Sequence, residues 1–292
     1  MVRIGAVFPQ TEIGDNPDDI SLWARAVERA GYRHIVAYDH VLGAGTDTRP
    51  DWTGYTVDTP FHEVFVLLGY LAAFTTVTEL VTGVLVLPQR QTALVAKQAA
   101  QVDVLSRGRL RLGVGVGWNA VEYGALGESF TDRGRRSEEQ VELLRALWSR
   151  PQVTFEGRWH HVDNAGIKPR PVRGSIPVWF GGQAEATLRR IARLGDGWFP
   201  QSPPDDDTRR TLERLDRYLA QAGRQRSHIG VEARLSLSRV APSERLAFAE
   251  GWARLGATHL TVDTMGLGLR TAAEHVAALE EALATIGPIA AG

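Results

Sequence analysis

The feature that most constrains the fold of this chain is a repeated change of hydrophobic period. Short runs rich in Val, Ile and Leu recur at Arg3–Phe8, His34–Tyr38, Leu80–Leu87, Arg109–Val116, Ile176–Phe180, Asp196–Phe199, Ile229–Leu235 and Thr258–Val262. Each has the length and continuous apolarity of a strand covered on both faces. Between them the apolar residues fall three or four apart, as at Ile20, Trp23, Ala24, Val27 and Ala30, at Val64, Leu67, Leu68 and Leu71, and at Leu212, Leu215 and Leu219. That spacing turns one stripe of a helix inward. Covered strands separated by helices pair in parallel, and eight such units in 292 residues predict a closed (β/α)₈ TIM barrel of class α/β. An open doubly wound sheet is the alternative.

Boundary residues agree with the periodicity. Gly31, Gly108, Gly195, Gly223 and Gly256 each follow an apolar helical run, where a left-handed residue ends a helix. Pro60 suits a first helical turn, Ser137 with Gln140 has capping-box spacing, and Ser243 is a candidate cap for the helix carrying Leu246 and Ala249. Two stretches break the alternation. His40–Thr59 is long and polar for a strand-to-helix loop, and reads as either a substrate-facing lid or a disordered insertion. Val153–Pro177 reads as a short hairpin insertion around a Glu156-Gly157 turn. Nothing of linker composition divides the chain, so residues 1–292 are expected to form a single domain.

Composition narrows the chemistry. The chain has no cysteine, which excludes disulfides, thiolate metal sites and a catalytic thiol. Thirty-three basic and 34 acidic residues leave a net charge of -1, which gives no global attraction to nucleic acid or an anionic membrane. A small molecule is therefore the expected partner. No apolar run approaches a membrane span or a signal h-region, so the cytoplasm is the expected compartment.

A barrel gathers its chemistry at the C-terminal ends of its strands. There the second strand offers Asp39-His40, an imidazole beside a carboxylate that would orient it for acid or base work. The third carries Gly83 among β-branched residues, a sign of a bulge or of close backbone approach. The fourth continues into Gly113-Val-Gly-Val-Gly-Trp-Asn-Ala-Val-Glu122, where alternating glycines clear one face for something flat. Gly181-Gly182 precede a helix and offer backbone N–H groups to an anion, or form a plain strand-to-helix turn. Trp198-Phe199 is either a wall against an aromatic ligand or a core pair, with one ring expected in the core. His160-His161 lacks a third ligand at helical spacing, and no metal site is expected.

Together, Asp39-His40, the Thr82–Arg90 strand, Arg109–Glu122, Trp179-Phe-Gly-Gly182 and Gly195-Asp-Gly-Trp-Phe199 resemble the luciferase-like monooxygenase superfamily. Within it the chain is most similar to the branch assigned to the deazaflavin coenzyme F-420. The resemblance implies hydride transfer between coenzyme F-420 and a small organic substrate. An FMN-dependent monooxygenase is the alternative, and a non-catalytic flavin-binding barrel is a third reading. It also implies His40 as the proton-transferring residue with Asp39 beside it, a non-prolyl cis bond at Gly83-Val84, and phosphate on Gly181 and Gly182. The wider cofactor site it implies takes in Phe8, Asp39, Trp118, Asn119, Gln183 and Trp198. Where the family's sugar-phosphate dehydrogenases place a catalytic Glu after the fourth strand, this chain has Trp118, with Glu122 a turn later. That argues against their substrate and leaves Glu122 as the candidate second carboxylate. Trp52, Tyr55 and Phe61 suggest an apolar or aromatic guest, and a homodimer is expected from the same resemblance.

Overall fold

The structure, a computed structural model, describes residues 1–291. Strand β1 (Arg3–Val7) leads into helix α1 (Pro17–Ala30) and β2 (His34–Ala37) into α2 (Val64–Phe74). The third stave, β3 (Glu79–Thr82) with β4 (Leu85–Val86), leads into α3 (Thr92–Leu105). After β5 (Leu110–Gly115) come α4 (Ala120–Ala125), α5 (Arg133–Ser149) and a hairpin, β6 (Val153–Glu156) and β7 (His161–Ala165). The remaining units are β8 (Val178–Gly181) with α6 (Glu185–Leu194), β9 (Gly197–Phe199) with α7 (Asp206–Gln221), β10 (Gly230–Ser236) with α8 (Arg245–Arg254), and β11 (His259–Asp263) with α9 (Ala272–Ile286). The short α10 (Pro288–Ala291) follows.

Sheet order is β3-β2-β1-β11-β10-β9-β8-β5-β4, and β3 also pairs with β5, so the sheet closes on itself. Its pairs are parallel, as strands joined through helices require. This is the (β/α)₈ barrel that the alternation predicts, with the third stave broken at Gly83-Val84 instead of running unbroken from Leu80 to Leu87. The hairpin insertion is present and docks through Glu139, whose carboxylate accepts the N–H groups of Arg158, Trp159 and His160 and meets the His160 ring at 2.8 Å.

Local signals were followed unevenly. Asn16 caps α1 by accepting from the Asp18 N–H, Pro17 fills its first position, and Gly31 ends it at φ 97°. Gly195, by contrast, is extended at φ -86°, ψ 145°, because the chain must turn straight into β9. Pro60 lies ahead of α2, which is capped by Glu63. Ser137 sits inside α5 with its hydroxyl on the Gly134 carbonyl, and Ser243 lies in a 3-10 turn before α8.

The lower barrel interior is closed by a buried charged layer that the apolar pattern did not announce. Arg111 donates to Glu232 at 2.5 Å and to Glu79 at 2.9 Å, and its guanidinium lies 4.2 Å from the Trp179 ring centre. Glu232 also meets His34 at 3.0 Å and the Thr261 hydroxyl. Burial opposes ionisation of Glu232, yet Arg111 and then His34 outweigh it and hold the carboxyl well below its ordinary range. Room for these rings comes from glycine: a Cβ at Gly5 would fall 2.2 Å from the His34 ring, and one at Gly197 2.1 Å from Trp179. With its base filled, the barrel presents its cleft at the C-terminal strand ends.

Candidate functional site

That cleft is open to solvent and is walled by Val7, Val36, Gly83 and Phe199, with Tyr38, Glu232, Arg234 and Thr261 as polar members. Tyr38 is fixed at the end of β2 by Gln10, whose buried amide accepts from the Tyr38 N–H and donates to the Tyr38 carbonyl, both at 3.1 Å. The Tyr38 hydroxyl accepts from Arg234 at 3.0 Å and faces an Asp263 carboxylate oxygen at 3.4 Å.

His40 stands just beyond the same strand end, and its partner is Glu122. The Nδ1 atom lies 3.1 and 3.2 Å from the two Glu122 oxygens, which also accept the N–H groups of Val41 at 2.7 Å and Leu42 at 3.1 Å. The side chains are 11% and 1% exposed. Burial would raise the Glu122 carboxyl, but the bonds from His40 and the Leu42 and Val41 N–H groups outweigh it and hold the group below its ordinary value. An ionised carboxylate only accepts, so Nδ1 carries the proton and Nε2 is left to take or give one. Asn119 builds this arrangement: its side chain caps α4, accepting from Val121 and Glu122, and donates to the Leu42 carbonyl.

Asp39 does not orient His40, which corrects the expectation drawn from their adjacency. Its carboxylate pairs with Arg90 at 2.6 Å and accepts the Val86 N–H at 2.9 Å. It thereby anchors β4 immediately beyond the Gly83-Val84 break. Neighbours along an extended chain point to opposite sides, so the pair was separated as soon as the strand direction persisted past Tyr38.

Above His40 the long loop after β2 is folded, with an isolated bridge between Ala44 and Thr56 and a bond from the Trp52 indole to the Tyr55 carbonyl. With Trp118 from the loop after β5 it surrounds the imidazole with aromatic rings: Tyr55 at 4.5 Å, Phe61 at 4.9 Å and Trp118 at 5.9 Å between centres. Trp118 is 50% exposed and packs on Trp52 and over Gly54, where a Cβ would collide with its ring. The loop is therefore folded against the His40 end of the barrel and is not an unstructured insertion.

The Gly83-Val84 peptide is cis. Gly83 is required because a Cβ would fall 2.1 Å from Val36. The alternating glycines of β5 do clear one face, but the chain itself fills it. Gly113 faces the Thr82 carbonyl and Phe199, Gly115 faces Val84, and Gly117 faces Val86. Of the two rings after β9, Trp198 is core and donates to the Gly182 carbonyl at 2.8 Å, while Phe199 lines the cleft. Phe8, expected near the cofactor, is instead buried against Trp23 and His62. Gly181 ends β8, Gly182 has φ +113°, Gln183 is exposed, and no side chain caps α6 at Ala184. The first N–H groups of α6 are thus without a side-chain acceptor. Sequence reasoning missed Arg90, Tyr38, Arg234 and Asp263; charged Glu232 and Arg234 two apart in an apolar strand were the available sign that one face of β10 looks into the barrel.

The profile of the luciferase-like monooxygenase family matches residues 4–285. An uncharacterised protein of Mycobacterium tuberculosis is 35% identical over 207 residues, 69% of this chain and 71% of that one. The FMNH(2)-dependent dimethylsulfone monooxygenase of Pseudomonas fluorescens is 33% identical over 175 residues, 59% of this chain and 47% of its own. Among solved structures, an F-420-dependent secondary alcohol dehydrogenase superposes with a TM-score of 0.78 at 18% identity, covering 98% of this chain and 99% of that one. The coenzyme F-420-dependent tetrahydromethanopterin reductase of Methanopyrus kandleri gives 0.76 at 16%, with the same coverage. At such identities the two structures share the fold.

Proposed function

The chain belongs to the luciferase-like monooxygenase family and is an oxidoreductase, and we propose that it transfers a hydride between coenzyme F-420 and a small organic substrate. The observation that carries the reading is the His40–Glu122 pair, placed at the barrel mouth under an aromatic lid.

The residues present fit a flavin-type group. A flat ring needs an apolar floor, which Val36, Gly83 and Phe199 provide, and an acidic tail needs donors, which the uncapped start of α6 after Gly181-Gly182 provides. A deazaflavin, when bound, supplies the two-electron chemistry. The chain orients, excludes water and moves the proton. Tyr55, Phe61 and Trp118 cover His40 from solvent, Glu122 holds the proton on Nδ1, and Nε2 serves the substrate oxygen. Glu122 accepts from Nδ1 whichever way the proton passes at Nε2, so the ring keeps its orientation through the transfer. Asp39 and Arg90 hold the strand that carries the floor.

The relative from Pseudomonas fluorescens favours a second reading, an FMN-dependent monooxygenase on the same barrel. Titrating the apo protein with coenzyme F-420 and with FMN, read by fluorescence, decides between them. At least tenfold tighter binding of coenzyme F-420 is expected. Tighter FMN binding selects the second reading, and binding of neither overturns both.

A further inference from the structure

The barrel-mouth cleft does not end at Tyr38. It continues through Pro200, Gln201 and Arg234 into an outer cleft of about 270 Å³ that is also lined by Ser236 and Arg239. Arg234 and Arg239 bring two guanidinium groups to this passage, and neither forms an ion pair among the described residues. Arg234 spends one N–H on the Tyr38 hydroxyl, which leaves most of a five-donor fork directed at open space. Of the carboxylates nearby, Glu232 is paired with Arg111 and His34, and Asp263 is turned to the Met265 N–H and the Tyr38 hydroxyl.

The same passage adjoins the proton-transfer group. The Tyr55 ring packs at a tilt with its centre 4.5 Å from that of His40, and its hydroxyl, pushed up first by burial, also feels the charges of Arg234, Asp263 and Arg239. A ligand lying along the lid thus has an aromatic wall and an imidazole at one end and an unneutralised guanidinium pair at the other. We propose that the cleft takes a substrate bearing a carboxylate, gripped by Arg234 with Arg239 at the outer rim, so that its reducible or oxidisable carbon is held toward His40. Planar guanidinium and carboxylate groups match in a bidentate pair, which supplies orientation as well as affinity. The substrate assignment rests on the oxidoreductase reading, while the anion site rests on Arg234 and Arg239 alone.

The test uses benzoate and its neutral isostere benzamide as probes, titrated by calorimetry into the full-length protein with and without coenzyme F-420. Wild type should bind benzoate at least tenfold more tightly than benzamide. Arg234→Gln should abolish the difference, Arg239→Gln should reduce it about threefold, and Arg234→Lys should retain part of it. Melting temperature measured on each variant separates a lost site from a lost fold, and the exposed Arg239 variant keeps the test open if Arg234→Gln does not fold. Equal binding of the two probes by wild type overturns the proposal, as does a preference that survives Arg234→Gln. A tenfold loss of coenzyme F-420 affinity in Arg234→Gln, with benzoate unaffected, also overturns it, by assigning the arginine to the acidic tail of the cofactor. Arginine-dependent benzoate binding by a protein that ignores coenzyme F-420 would uphold the anion site and remove the hydride-transfer reading.

Discussion

Replacing Glu122 separates its electrostatic role from its structural one. In Glu122→Gln one oxygen still accepts from Val41 and Leu42, so the loop after β2 keeps its anchor. The amide N–H₂ then faces His40 Nδ1, which must become the acceptor, and the ring proton moves to Nε2. An imidazole in that tautomer has nothing at Nε2 with which to take a proton, and turnover should fall by roughly 10²–10⁴. Stability should change by less than about 1 kcal/mol, since the hydrogen-bond count is preserved. Glu122→Ala differs. It strips the acceptor from three donors, two of them backbone N–H groups, at a position 1% exposed. At about 1–3 kcal/mol for each unsatisfied buried group, with water relieving some, the loss is ~3–5 kcal/mol. For a chain of this size that corresponds to a fall in Tm of roughly 6–15 °C.

Nitrogen-15 NMR of the His40 ring reads the tautomer directly, and turnover is followed with the best hydride donor from a panel of oxidisable alcohols, the direction in which Nε2 takes a proton. His40→Ala should lower turnover by as much as Glu122→Gln, and the double variant should be no slower than His40→Ala, because the pair acts as a unit. A proton still on Nδ1 in Glu122→Gln, or turnover within threefold of wild type, would refute the reasoning.

Other outcomes follow from the same structure. Arg111→Met leaves Glu232 buried without its main partner and should cost about 3–5 kcal/mol in denaturant unfolding, whereas Arg111→Met with Glu232→Met should recover most of it. If the cofactor phosphate sits over Gly182, Gly182→Asp should bind the cofactor at least tenfold more weakly than Gly182→Ala; both carry the strain of φ +113°, so the difference isolates charge. His275 is held neutral by burial, with its pKa lowered from 6.5 to about 4, and His259, also chiefly by burial, from 6.5 to about 2. Their folded values are depressed, so the stability they contribute is present above about pH 6.5 and is lost as pH falls; a melting series from pH 7 to 4 should decline, less steeply in His275→Gln. Helix α2 is apolar on nearly every side and leaves Val66 72% exposed, and if the chain pairs through that face, Val66→Glu should convert a dimer to monomer in light scattering.

What the sequence disclosed divides along the range of the interactions. Strand and helix periods are local, and they placed the eight staves, the hairpin and the long loop after β2 within a few residues. Caps were less legible, because Ser137 and Ser243 satisfy a spacing rule that says nothing about where the preceding chain enters the helix. The site was legible only where residue type and strand end sufficed, as for His40. Its true partner is 82 residues away, and no spacing rule links a strand-end histidine to a carboxylate on a short helix after another strand. The glycines of β5 show the same limit from the other side: their period announces a cleared face, while the occupants, Val84 and Val86 from the adjacent stave and Phe199 from β9, come from elsewhere in the barrel.

Strand β10 shows how one local pattern acquires two opposite meanings. Glu232 and Arg234 are two residues apart and so share the face of the strand that looks into the barrel. In sequence they read as two charges misplaced in an apolar run. Roughly 7 Å of strand rise separates them, at about 3.3 Å per residue, and along that rise the surroundings change. At the lower level Glu232 meets Arg111, His34 and Thr261 and is consumed by closing the barrel floor. One layer higher Arg234 donates to the Tyr38 hydroxyl alone, and the Asp263 carboxylate that faces the same hydroxyl forms no ion pair with it. A charge whose partner is supplied by the fold is structural, and a charge whose partner the fold withholds is available to a ligand. The distinction lies in the residues across the barrel, and only the closed sheet brings them into register.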